Sequence, residues 1–197
     1  MDIKKDLFNP KYIKFIPLLL FFILFLVGVN IFKDYGAPID DEFHRLMGFY
    51  WLKYVLEFFP ESNIYAKVSS ILENINIFNY NVNSLAPVDL IYGVVFDLPL
   101  AILETLFNIT DQGQIYLTRH LSIFIIFFIS LIFFYKILIE RFDILVGIIG
   151  TSFLVLSPRI FAQSFYNSKD IIFMSLIIIS LYFLYKTFKN FNFYNYS

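Results

Sequence analysis

The stretch Leu121–Leu138, LSIFIIFFISLIFFYKIL, carries a single charge, Lys136, two residues from its end. A run of that length and polarity reads as a helix able to cross the roughly 30 Å hydrocarbon layer of a bilayer. Three more runs resemble it: Phe15–Phe32 (FIPLLLFFILFLVGVNIF), Ile144–Leu156 (ILVGIIGTSFLVL) and Ile171–Phe188 (IIFMSLIIISLYFLYKTF). The whole chain agrees with them. Its 197 residues are 59% hydrophobic and 16% charged, with a mean hydropathy of +0.71, too apolar for an ordinary soluble domain of this size. The expected class is an all-α membrane protein with about four transmembrane helices and one large outer loop.

Charge and cysteine content exclude several chemistries. Fifteen Lys and Arg nearly balance sixteen Asp and Glu, so no basic excess points to nucleic acid. With no Cys, disulfide frameworks, thiolate metal sites and cysteine nucleophiles are ruled out. There is no Gly-rich phosphate loop, no H-E-x-x-H and no G-x-S-x-G, which argues against a nucleotide enzyme or a zinc protease.

Lys4, Lys5, Lys11 and Lys14 precede the first run and place the N-terminus in the cytoplasm. The run continues through Gly28-Val29-Asn30-Ile31-Phe32 without a small-x-small cleavage site, as an uncleaved anchor does. The expected organisation is a single polytopic domain. Residues 1–14 are cytoplasmic, 15–32 form span 1, 33–118 the outer loop, 121–138 span 2, 142–157 span 3, 158–170 a second outer loop, 171–188 span 4 and 189–197 a cytoplasmic tail. Ile139–Asp143 makes spans 2 and 3 a tight hairpin. Lys136, Arg141, Lys186 and Lys189 then share the side of the N-terminus, in a multi-pass protein of the cell membrane.

The large loop is acidic, with eleven acids and four bases between Lys33 and Thr118. Phe43, Leu46, Met47, Tyr50, Tyr54, Val55 and Phe58 recur at helical spacing, which predicts an amphipathic helix near 41–59 lying on the membrane or on the spans. Leu85–Phe107 is long enough to cross, but Asp89, Asp97 and Glu104 at mid-depth would cost roughly 2.5–3.5 kcal/mol each. An interfacial or re-entrant pair of helices near 87–107 is preferred to a fifth span, divided at Pro99 with Asp97 capping the second piece. Pro60–Ser84, rich in Asn and Ser, reads as irregular connection.

Three clusters can carry chemistry. Asp40-Asp41-Glu42 follows the first span; adjacent carboxylates suit a general base or a divalent cation, and equally suit the capping of a helix N-terminus. Arg119-His120 stands at the entrance of the second span, where a cation and an imidazole can hold a phosphate or an arginine can simply reach the interface. The loop from Ser157 to Asp170 carries Arg159, Gln163, Tyr166, Asn167, Lys169 and Asp170, more polar groups than a turn between spans needs. All three clusters fall on the outer side of the expected topology.

In this order the residues resemble the N-terminal part of a GT-C-type polytopic glycosyltransferase, the superfamily of the dolichyl-phosphate-mannose protein mannosyltransferases. The resemblance is carried by Ile39-Asp40-Asp41-Glu42-Phe43 with Arg45 and Gly48, by Tyr92-Gly93-Val94-Val95-Phe96-Asp97-Leu98-Pro99-Leu100, by Arg119-His120, by Ser157-Pro158-Arg159-Ile160-Phe161-Ala162 and by Phe165-Tyr166-Asn167-Ser168-Lys169-Asp170. It departs from the family pattern at Gln163 and Ser168, where related sequences carry His and Pro. It implies a sugar donor carried on polyprenyl or dolichyl phosphate and transfer on the outer or lumenal side. Asp41 matches the catalytic base, with Asp40 or Glu42 as alternatives. Arg119, His120, Arg159 and Lys169 are implied for the donor phosphate, and Tyr92, Asp97, Tyr166, Asn167 and Asp170 complete the candidate site. The partners implied are the bilayer, the lipid-linked sugar and the remaining spans of a larger fold; a divalent cation is compatible but not required. Two other classes stay open: a transporter fragment, which needs charges inside the spans, and a small adaptor in which the acidic loop only binds a partner.

Overall fold

The computed structural model describes residues 15–74 and 94–190, which are helical with no strand among them. The helices are α1 (Ile16–Ile31, continued by a 3₁₀ turn Phe32–Asp34), α2 (Asp41–Leu56), α3 (Asn63–Asn74), α4 (Asp97–Phe107), α5 (Gln112–Arg141), α6 (Ile144–Leu156), α7 (Pro158–Tyr166) and α8 (Asp170–Asn190). The chain divides into two compact units. Ala37–Arg119 forms one; the residues up to Gly36 and those from His120 onward form the other. Helix α5 begins in the first of these and continues into the second.

Ile16–Asp34, α5 and Asp170–Lys189 are long and apolar enough to cross a membrane, and α6 with α7 makes a fourth candidate bent by 67°. By length and composition, three of these helices, or four counting the bent pair, are candidate membrane spans. The thirteen residues of α6 extend about 20 Å at 1.5 Å per residue, short of the hydrocarbon thickness. Within the expected outer loop 158–170, residues Pro158–Tyr166 form the helix α7. Pro158 at its first position is pre-set for helix and needs no N–H there.

Contacts fix the relative direction of the helices in the membrane unit. Phe21 packs against Phe128 and Tyr135, and a side chain at Gly28 would overlap the Phe124 ring, so α1 and α5 run antiparallel. A Cβ at Gly147 would lie 2.5 Å from Ile139 Cγ2, and one at Gly150 2.6 Å from Leu138 Cδ1. These glycines let α6 pack directly on α5 in the hairpin read from the sequence, and Asp143 caps α6 by accepting from Val146 N–H at 2.8 Å. Phe133 meets Tyr182 and Phe183, and further along both helices Glu140 meets Lys186 at 2.7 Å, so α8 runs parallel to α5. The start of α1 and the C-terminal ends of α5 and α8 thus lie at one end of the unit.

In the other unit, Leu46, Met47, Phe49, Leu52, Val68, Leu72 and Ala101 form one core shared by α2, α3 and α4. Leu46 and Met47 of the stripe expected to lie on membrane or spans are buried within this unit, while Tyr54, Val55 and Phe58 at its C-terminal end stay exposed. Two further expectations change. Residues 63–74, read as irregular, are helical because Ile64, Val68, Ile71 and Leu72 follow the helical period and Ser62 Oγ caps Tyr65 N–H at 3.2 Å. Asp97 is not a cap; it is the first residue of α4, and its carboxylate is used elsewhere. The part of the second expected interfacial segment that precedes Val94 lies outside the described residues.

Candidate functional site

Asp41, His44, Arg45 and Gly48 recur at helical spacing and turn one side of α2 toward α4. Asp97 and Glu104, seven residues apart, do the same on α4. Gly48 allows the contact, since a Cβ there would stand 2.5 Å from the Asp97 carbonyl oxygen. Two ionic groups form across this packing. Arg119 Nη2 donates to Asp97 Oδ1 at 2.5 Å, and its Nε lies 3.6 Å from Asp41 Oδ1. His44 Nδ1 lies 3.6 Å from Asp97 Oδ2. Beside them Arg45 makes a bidentate pair with Glu104, its Nε donating to Oε2 at 3.0 Å and its Nη2 to Oε1. The Arg119 guanidinium stands over the Phe96 ring and that of Arg45 over Phe49.

Asp41, Asp97 and Arg119 are all buried, at 1%, 4% and 3% exposure. One guanidinium therefore faces two carboxylates out of water, with His44 at the edge. Replacing such a buried charged group by packed apolar side chains is often neutral or stabilising, so stability alone does not account for it.

The three adjacent acids diverge. Asp40 is exposed, Asp41 points to Arg119, and Glu42 accepts from Tyr116 Oη at 3.2 Å and from Gln112 Nε2 at 3.5 Å. They do not converge on a cation, and among the described residues no three His, Asp or Glu side chains are grouped to hold a metal.

Of the expected site residues, Asp41, Asp97 and Arg119 are brought together in this unit. The structure adds His44, Arg45, Glu104 and Tyr116, which sequence reading did not assign to the site. The i, i+3, i+4 spacing of Asp41, His44 and Arg45 was the available signal. Tyr92 lies outside the described residues.

The remaining candidates belong to the membrane unit. His120 is buried at 1% exposure, while Arg159, Lys169 and Asp170 are exposed. Asn167 Oδ1 accepts from the backbone N–H of Lys169 at 3.1 Å and of Asp170 at 2.7 Å, and its amide donates to Asp170 Oδ2 at 3.2 Å. Asn167 and Asp170 thus build the start of α8. Tyr35 stacks on Phe165 at 4.6 Å and approaches Tyr166 at 6.0 Å. Burial raises the Tyr35 hydroxyl above the usual tyrosine range, with smaller contributions from Tyr166 and Asp34.

The same unit contains an apolar groove of about 470 Å³, lined by Leu20, Leu24 and Val27 of α1, Val155 and Leu156 of α6, and Phe161 of α7. Pro158 also lines it, and the next residue is the exposed Arg159. An apolar groove of this size has the chemistry to take a lipid tail.

No protein-family model matches the chain, and no curated protein or solved structure is significantly similar to it.

Proposed function

We propose that this protein is a membrane glycosyltransferase, or the N-terminal part of one, that moves a sugar from a polyprenyl- or dolichyl-phosphate donor to an acceptor on the outer or lumenal face. The N-terminus is cytoplasmic in this reading. The observation that carries it is the apolar groove of α1, α6 and α7, which suits an isoprenoid tail. The resemblance of the acidic run and of Ser157–Asp170 to GT-C enzymes supplies the reaction.

In the proposed step Asp41 accepts the proton of the acceptor hydroxyl while its oxygen bonds to the anomeric carbon. The bond from that carbon to the phosphate oxygen breaks, and the lipid phosphate leaves with its electron pair. Arg119 is committed to Asp41 and Asp97, so its role here is to position the base rather than to bind phosphate. Membranes containing the full chain, incubated with polyprenyl-phosphate-linked radiolabelled sugars, test this. Asp41→Asn is expected to lower transfer by about 10²–10⁴-fold with the protein still inserted. Unchanged transfer in Asp41→Asn, Asp40→Asn and Glu42→Gln alike rejects the mechanism.

A second reading, a non-catalytic adaptor, is favoured by one observation: Asp41, Asp97 and Arg119 tie α2 and α4 to the beginning of α5. In that case the same substitutions alter unfolding and partner binding, and no preparation transfers sugar.

A further inference from the structure

At the other end of the membrane unit, the C-terminal turns of α5 and α8 gather four cations around two tyrosines. Lys136 Nζ stands 5.8 Å from the Tyr182 ring centre and 5.3 Å from that of Phe133. Lys186 lies over Tyr182 at 5.6 Å, and Arg141 and Lys189 lie over Tyr185 at 5.0 and 5.7 Å. One acid meets them: Glu140 lies 2.7 Å from Lys186 and 3.5 Å from Lys189. Asp143, next along the chain, is turned to the N-terminus of α6.

Several features distinguish this group from scattered lysines at the ends of spans. The four cations are linked through shared rings and one carboxylate into a continuous surface across two helices. Aromatic faces hold the cations in place, which lowers the ordering cost of binding an anion. Lys136, Arg141 and Lys189 remain exposed. The cations lie near the C-terminal ends of two candidate spans, where a membrane–water interface falls and where the helix dipoles favour positive charge.

We propose that this surface is a binding site for the head group of an anionic phospholipid, with the phosphodiester held among Lys136, Arg141, Lys186 and Lys189 and the tyrosine rings at the level of the glycerol backbone. Four cations against one carboxylate supply the charge complementarity. The position at the ends of membrane-crossing helices selects a lipid over a soluble phosphate. The inference is independent of the transferase reading, because none of these residues belongs to that site.

The test uses the full chain with an indole placed at the site by Tyr182→Trp and the native indole removed by Trp51→Phe, reconstituted into phosphatidylcholine vesicles. Quenching by brominated phosphatidylglycerol is compared with quenching by brominated phosphatidylcholine. The anionic lipid is expected to quench several-fold more strongly, and each of Lys136→Gln, Arg141→Gln and Lys189→Gln to reduce the preference roughly fivefold, about 1 kcal/mol per cation near a charged surface. Arg141→Lys is expected to retain it. Glu140→Gln, which removes the competing acid, is expected to strengthen it, a gain that misfolding does not produce. Equal quenching by the two lipids overturns the proposal. Loss of the preference on adding soluble glycerophosphate at unchanged ionic strength overturns the assignment to a lipid.

Discussion

Arg119 and Asp97 form a direct ion pair at 2.5 Å between the start of α5 and the first turn of α4, with both side chains at or below 5% exposure. The pair joins elements twenty-two residues apart in sequence and leaves the second face of the guanidinium to Asp41. Removing Arg119 therefore takes the guanidinium away from two buried carboxylates. Arg119→Met is expected to destabilise the protein by about 3–5 kcal/mol, as breaking one partner of a buried ion pair does. Denaturant unfolding in detergent, followed by circular dichroism, measures this; a loss below about 1 kcal/mol shows that the pair does not form in the folded protein.

Arg45 and Glu104 make a second pair whose strength depends on shape as well as charge, because two guanidinium nitrogens engage one carboxylate. Lysine keeps the charge and loses the fork. Arg45→Lys is expected to cost about 1–2 kcal/mol and Arg45→Ala more, since the latter leaves Glu104 buried without its partner. The two variants should separate clearly in the same unfolding experiment; equal losses would show that only the charge matters.

Gly48 lies where α2 crosses the backbone of Asp97. The atom in the way of a side chain is a carbonyl oxygen and cannot swing aside, so Gly48→Ala must push α2 away from α4. A loss of about 1–3 kcal/mol is expected. Because the shift also displaces His44 and Arg45 from Asp97 and Glu104, combining Gly48→Ala with Arg45→Ala should cost less than the sum of the two. Additive losses would place Gly48 outside this packing.

The antiparallel course of α1 and α5, with α8 parallel to α5, predicts sidedness. The native chain has no cysteine, so single substitutions report cleanly. Lys33→Cys and Lys169→Cys should react with a membrane-impermeant maleimide from one side of sealed vesicles, and Phe142→Cys from the other. Labelling of all three from one side would refute the arrangement of the membrane unit.

The sequence alone determined the class. A bilayer imposes a length and an apolarity on any helix that crosses it, and α1, α5 and α8 meet both in their own residues. The short turn Phe142–Asp143 similarly dictated the hairpin of α5 and α6. Boundaries were less legible: Asp111, whose Oδ1 caps Gln114 N–H at 2.9 Å, starts α5 nine residues before the apolar run begins, and Ser157-Pro158 starts a helix where a loop was expected. Apolar count locates the middle of a span, whereas its end depends on which side chain caps the free N–H groups. The pairing of charges was decided by tertiary structure. Asp40, Asp41 and Glu42 are equivalent as letters, and only the packing of α2 against α4, with Gly48 permitting close approach, sends Asp41 to Arg119 and Glu42 to Tyr116 while leaving Asp40 exposed. The physical reason is distance: the partners of these acids lie up to seventy-eight residues away, and sequence spacing orders residues along one helix but carries no information about which helix it meets.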